Sequence, residues 1–275
     1  MKIEYLPGAL PGLKIDLNKF KKPERPETFV DYLKSRLARR SEKINEIYSK
    51  NFLDSEGRIL VSGEEAEKDN NLVLKLENNW AEEKGMNIEA WRNGKEKASG
   101  SVAELALTLM LDKILGERFI VARASEYDDY CNGIDNVIID KESGAVICGF
   151  DEVVDDMQGY YSEAKKKEKM KKISASGGAE IKYGATFIDG ELKLASFENV
   201  PTFYLSLSSS ELSRLAAELK KENPEVSDLE NKIYGRLLKS LKEQALKLKG
   251  NEALNWEAEE AIKSLEEMGL SVEMV

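Results

Sequence analysis

The chain contains no histidine. That absence excludes Ser-His-Asp and Cys-His catalytic sites, a histidine general base and every His-ligated zinc site. Cysteine is nearly absent. Cys131 and Cys148 are too few for a disulfide scaffold or a cysteine zinc site, so free thiols and a reducing, cytoplasmic compartment are expected. No apolar run approaches the ~18 residues of a membrane span. The opening MKIEYLPGALPG lacks the basic-then-apolar pattern of a secretory leader. No Gly-x-x-x-x-Gly-Lys-Ser/Thr stretch occurs, which argues against a P-loop ATPase. Proline is sparse, and four of the six (Pro7, Pro11, Pro23, Pro26) precede residue 27, marking that stretch as an extended arm.

What the chain has in abundance is acid. Asp and Glu number 51 against 41 Lys and Arg, a net charge of −10. This argues against a generally basic nucleic-acid coat, though not against a locally basic groove. Any chemistry must rest on carboxylates, lysine, arginine, tyrosine or a hard metal ion. Oxygen ligands for magnesium or manganese are plentiful.

Periodicity predicts a helix from Thr28 to about Lys50, with Phe29, Tyr32, Leu33 and Leu37 on one face. A turn is expected at Asp54–Gly57. A second helix is expected over Glu64–Lys84, with Leu72, Leu74, Leu76 and Trp80 as its apolar face, then a loop from Asn93 to Gly100. Ser101–Leu115 is apolar almost all round, the mark of a buried helix. Three strands follow (Phe119–Ser125, Gly133–Asp140, Ala145–Val154), then a lysine-rich helix over Gln158–Lys172. Next come a hairpin about Asp189-Gly190, a buried strand over Asn199–Leu207, and helices to the end with breaks near Pro224 and Gly250. The expected fold is α/β (α+β), a mixed-sheet core with helical additions at both ends. Its expected divisions are 1–98, 99–207 and 208–275.

The informative stretch runs from Val121 to Met157. It holds ten acidic and two basic residues, a net charge of −8. Asp135 and Asp151 lie within strand patterns, where aspartate is disfavoured. Lys141-Glu-Ser-Gly144 has the chemistry of a type I turn closed by a glycine bulge, with Glu142–Gly144 as a three-residue loop. Lys141 then pairs with Ala145 and Cys148 with Ile138, and Asp135 faces Asp151 at roughly 4.5–5.5 Å between Cβ atoms. Two carboxylates so opposed repel unless a proton or cation lies between them, and a divalent ion is the economical explanation. A four-residue loop would instead put the two aspartates on opposite faces. The bland reading makes these acids solvated strand edges or turn caps; it suits Asp140 and is open for Asp128, Asp129, Asp155 and Asp156.

The segment Ser101–Leu207 resembles the PD-(D/E)XK nuclease superfamily, with its restriction-endonuclease-like core of helix, three-stranded meander, helix and strand. On that resemblance Glu104 corresponds to the helix glutamate, Asp135 to the second-strand aspartate and Asp151 to the acid of the third-strand motif. The catalytic set it implies is Glu104, Asp135 and Asp151. Mg2+ or Mn2+ would be held by Asp135, Asp151 and the main-chain carbonyl of Glu152. The sequence departs from the family at Val153, where the family has lysine. A relocated amine would have to come from Lys165, Lys166 or Lys169 on the following helix, or Lys182 on the hairpin. Glu104 also has a second reading, as the last member of a Ser101-x-x-Glu104 capping box.

Lys165, Lys166, Lys167, Lys169, Lys171 and Lys172 put six lysines in eight residues. Such a helix suits phosphate backbones, with Lys165, Lys166, Lys169 and Lys182 as nucleic-acid contacts and Tyr160 and Tyr161 for stacking. A solvated helix face is the alternative. Two functions stay open: a metal-dependent nuclease acting on DNA or RNA, and an inactive nuclease-like module that binds a protein partner through its helical ends. A structural calcium site ranks below both, because the EF-hand spacing is absent.

Overall fold

The computed structural model describes residues 28–155, 168, 178–188, 191–248 and 252–273. The expected lysine-rich helix, with Lys165, Lys166, Lys169, Tyr160 and Tyr161, lies outside the described residues except for Glu168. The helices are α1 (Phe29–Ile47), α2 (Glu64–Glu83), α3 (Ile88–Glu96), α4 (Ser99–Leu115), α5 (Ser209–Leu219), α6 (Asp228–Ala245) and α7 (Glu252–Glu273). The strands are β1 (Phe119–Arg123), β2 (Asn136–Asp140), β3 (Val146–Asp155), β4 (Ala179–Ile188), β5 (Glu191–Val200) and β6 (Thr202–Ser208). The protein is α/β, with helices at both ends of a mixed four-stranded sheet of order β1-β2-β3-β6 and a separate β4-β5 hairpin. The β1-β2-β3 meander is antiparallel and β6 runs parallel to β3. Among the described residues no helix is long and apolar enough to cross a membrane.

Two apolar layers sandwich the sheet. Val121, Ile138, Cys148, Phe150, Phe203 and Leu205 share one cluster with α4 and with leucines of α1, α5 and α6. On the opposite side Ile120, Val137, Ile139 and Val146 pack with Ile181, Ala185 and Leu192 of the hairpin. Helix α4 is central to the first layer, with an unbroken buried run from Leu105 to Leu111. That explains its apolar sequence all round: neighbours meet it on every side. Serine caps start α5 and α6. Ser208 and Glu211 form a capping box at α5, and Ser227 and Glu230 another at α6. The Gln244 side chain pairs with both backbone groups of Tyr204, at 3.0 and 2.9 Å, extending the open side of β6 with an amide.

Several expectations need correction. Residues 93–100 are not a loop: Asn87 caps α3, which runs through Gly94, and α4 begins at Ser99. The buried face of α2 is Ala66, Asp69, Val73, Glu77 and Ala81, while Leu72 and Leu74 are exposed. The helical spacing of three and four selects that set, and its two acids are buried because they have partners. The β2-β3 turn also differs. Asp140 donates its N–H to Ala145 O and accepts from Gly144 N–H, so four residues form the loop and Lys141 does not pair with Ala145. The register is restored by a bulge: Ile139 pairs with Val146, but Ile138 pairs with Cys148 and Asn136 with Phe150. Asp135 thus reaches the expected level along β3 by an unexpected route, its N–H donating to Phe150 O at 2.7 Å. Both cysteines are free, as expected; Cys148 is buried and Cys131 exposed.

Gly144 occupies the left-handed region (φ +69°), and a Cβ there would lie 2.5 Å from Phe187 N on the hairpin. Gly144→Ala is expected to cost about 2 kcal/mol, combining strain with a backbone clash. Denaturant unfolding should show a lower midpoint; an unchanged midpoint would mean that the turn does not pack on the hairpin as described.

Candidate functional site

The site is assembled around the connection from β1 to β2. Ser125 opens it, and residues Asp128–Asn132 wind into one π-helical turn that Gly133 ends in the left-handed region. Asp128, wholly buried, accepts hydrogen bonds from Ser125 Oγ (2.7 Å), Asn132 Nδ2 (2.8 Å), Lys182 N (2.8 Å) and Tyr183 N (3.0 Å). Its carboxylate joins the turn to β4 and is structurally committed. Asp129, the next residue, points elsewhere and meets Arg58 Nη2 at 2.9 Å.

Arg58 and Arg123 are set side by side by backbone pairing. The segment around Arg58 forms a parallel bridge with Arg123, with Arg123 N donating to Gly57 O (2.8 Å) and Ile59 N to Arg123 O (2.9 Å). Arg123 Nη2 meets Glu104 Oε2 at 3.0 Å, and Nη1 meets Glu56 Oε2 at 3.4 Å. Burial works against the charge of Arg58 and is outweighed by Asp129, Glu104 and Glu126, so its proton affinity is raised.

Carboxylate oxygens of Glu104, Asp129 and Asp135 all lie within 4.8 Å of one another. Glu104 comes from α4, Asp129 from the π turn and Asp135 from the residue before β2. The alternative reading of Glu104, as part of a capping box with Ser101, is not borne out. The N-cap of α4 is Ala98 without a side-chain bond, and the Glu104 carboxylate turns to Arg123 and the two aspartates. Asp135 accepts the N–H of Glu152 at 2.6 Å. Burial first, then the negative charges of Glu152, Glu104, Asp129 and Asp151, raise its carboxyl well above the usual carboxylate range. Asp151 contributes to that field, but it does not belong to the group of three, whose third member is Asp129.

Glu152 has a larger part than its main chain. Its side chain is buried and accepts from Asn136 Nδ2 at 2.9 Å, while Thr108 Oγ1 on α4 meets Asn136 Oδ1 at 3.0 Å. Burial pushes Glu152 up to about 8, against hydrogen bonds from Asn136 and from the Asp135 carboxyl. Two carboxyls in such contact share a proton. Glu152 Oε2 nonetheless has no full hydrogen-bond partner.

A cavity of about 440 Å3 opens on Glu104, walled by Arg58, Arg123, Lys34, Arg92 and Lys95. The Lys34 ammonium holds Glu56 (2.7 Å) and Glu96 (2.5 Å), and Lys95 lies 3.8 Å over the Tyr130 ring. Of the four lysines proposed as relocated amines, Lys182 is the one described. Its Nζ is held by Asp69 (2.7 Å) and Glu65 (3.0 Å) on α2, not by the group of three. Among the described residues the cations bonded to that group are arginines 58 and 123, which sequence reading missed. The available signal was Gly57-Arg58 after a turn and an arginine inside the apolar run Phe119–Ala124. Comparison with family models, with curated proteins and with solved structures finds no match for the chain.

Two outcomes follow. Asp128→Ala should cost about 3 kcal/mol, because a buried carboxylate with four donors leaves them unpaired. Equal stability would contradict the placement. Glu152 has a raised pKa in the folded state, so its stabilising contribution is full below the ordinary glutamate range and is lost as pH rises through about 8. Measured in chelator, the stability of Glu152→Gln relative to the parent chain should therefore improve between pH 5 and pH 8.5 by on the order of a few kcal/mol. A pH-independent difference would show that Glu152 is not held protonated.

Proposed function

We propose that the chain is a divalent-metal-dependent phosphodiesterase of the PD-(D/E)XK type, acting on DNA or RNA. The observation that carries the reading is the convergence of Glu104, Asp129 and Asp135 within 4.8 Å. The donor set fits Mg2+ or Mn2+: all hard oxygens, in a geometry that like-charge repulsion opposes without a cation. The raised affinity of Asp135 for a proton and the unsatisfied Glu152 Oε2 report the same surplus of negative charge.

A bound ion would supply Lewis-acid stabilisation of the phosphate and a more acidic water. Glu104, Asp129 and Asp135 would hold it, which replaces the Asp135–Asp151 pair with a set centred one element further back. Asp151 and the Glu152 main chain remain at the border of the site. Asn136 orients Glu152, and the Asp135–Glu152 pair stores a proton beside the group. Arg58 and Arg123 bring fixed positive charge where Val153 leaves no lysine, and guanidinium groups bind phosphate oxygens in pairs. The order helix α4, antiparallel meander, then β6 parallel to β3 supports this reading, being that of the superfamily's core.

One observation favours a second reading. The same arginines already neutralise Glu104 and Asp129, so the cluster is also intelligible as the salt-bridged remnant of a site in a binding or scaffolding module.

The two readings separate in one experiment. With manganese and labelled single- and double-stranded DNA and RNA, cleavage should appear and should fall on the order of a hundredfold or more in Asp129→Asn and Asp135→Asn, a loss of ~3 kcal/mol of barrier lowering. Calorimetry should show the ion bound by the parent chain and not by either variant. Neither binding nor cleavage would leave the module reading standing.

A further inference from the structure

Helices α1 and α4 meet in a seam that opens at both ends. The carboxylate cavity occupies one end, near Lys34 and Glu104. At the other end lies a larger cavity of about 620 Å3, bounded by the C-terminal halves of both helices and by Glu222–Pro224. Its cations are Arg36, Arg39, Arg40, Lys43, Lys113 and Lys141, against three acids, Asp112, Glu117 and Glu222, a surplus of +3 in a chain of net −10.

Internal partners leave much of that charge uncompensated. Arg40 pairs with Asp112 at 2.6 Å, and Lys113 with Glu230 at 2.7 Å. Arg39 approaches Glu222 only to 3.8 Å and both are well exposed, so that pair is weak. Arg36 donates to the Tyr32 hydroxyl at 2.9 Å, and Lys141 to the carbonyls of Gly116 (2.5 Å) and Glu117 (3.4 Å), all neutral acceptors. Among the described residues no carboxylate lies within ion-pair distance of Lys43. Burial, with the charge of Arg40, holds the Lys141 ammonium below its usual proton affinity despite Asp112. Cations crowded in this way are stabilised by an anion.

We propose that this cavity is a phosphate-binding site that accepts a phosphorylated ligand of nucleotide size. Its volume falls within the roughly 300–1,000 Å3 of small-molecule sites. Ile47, 69% exposed, and Pro224 add apolar surface to its lining, which suits a nucleobase attached to the phosphate. Asp112 lies eight residues after Glu104 on α4, placing the cavity about 12 Å along the helix from the carboxylate group. The phosphate arrives either on a free nucleotide or as part of a strand. The site does not rest on the metal reading, since none of its residues belongs to the carboxylate group.

The test is calorimetry on the full chain in chelator, with adenosine monophosphate and a single-stranded oligothymidine of about twelve nucleotides as probes. At least one probe should bind, and Arg39→Glu with Lys43→Glu should weaken it by roughly tenfold or more, with a shallower salt dependence. Both residues are exposed, so folding should survive; Arg39→Gln with Lys43→Gln is the milder pair if it does not. Lys232→Glu with Lys239→Glu makes the same change in net charge on α6 and should leave affinity within about twofold. Tighter binding of the oligonucleotide assigns the phosphate to a strand, and equal or tighter binding of the mononucleotide assigns it to a free nucleotide. No binding of either probe at millimolar concentration overturns the proposal, as does an equal loss in the α6 variant. Loss of metal-dependent cleavage would not bear on either result, so the two readings fail separately.

Discussion

One buried carboxylate organises the molecule's functional end. Asp135 ends a hydrogen-bond ladder by accepting the Glu152 N–H, and in that position its side chain meets Glu104, Asp129 and Glu152. Gathering four acids at the end of a sheet is unfavourable. A well-packed apolar cluster of the same size is commonly as stable or more so. The fold contains the repulsion with Arg58, Arg123, the Asn136 amide and a shared proton. None of these devices is needed by the sheet itself, whose two faces are already filled by aliphatic side chains. The excess acid is therefore not explained by the packing of the sheet, and it is what the proposed metal site would use.

The scaffold that holds this arrangement is rigid for ordinary reasons. Helix α4 is fixed by burial on every side, which fixes Glu104. Arg58 and Arg123 cannot drift apart, because their backbones are bonded across the bridge beside β1. That same bridge covers the outer edge of β1, so one feature protects a strand edge and delivers a guanidinium. Asp128 and Asp129 divide the labour of an acidic pair: the first has all its bonding capacity taken up by structure, and the second faces the site.

Much of the frame was legible in the sequence because periodicity reports burial. The all-apolar α4, the meander and the hairpin are elements of that kind. The β2-β3 pairing shows the limit. Turn chemistry pointed to three loop residues where there are four, and a bulge that no local signal marks returned Asp135 to the anticipated level. On α2 the eye goes to Leu72 and Leu74, yet Asp69 and Glu77 face inward, because Lys182, Tyr183, Arg92 and Tyr130 meet them there. Those partners lie as far as 114 residues away in sequence. The same reason hid Asp129 as the third carboxylate: it is brought in by a π turn, and its partner Arg58 comes from a separate segment.

In the proposed reading arginine supplies the positive charge, and this has a chemical consequence. Lysine can be tuned by burial into a proton acceptor near neutral pH, whereas guanidinium stays protonated and serves only as a fixed charge. In the proposed hydrolase, then, Arg58 and Arg123 orient and stabilise phosphate, and neither can take a proton from water. That task falls to acids with raised proton affinity, and the Asp135–Glu152 pair has it, with Glu152 pushed up to about 8. With an ion held by Glu104, Asp129 and Asp135, Glu152 would be the carboxyl of the pair left to accept a proton, its charged form favoured by the added positive charge. The surplus of acid that makes the apo site costly would thus also make it reactive.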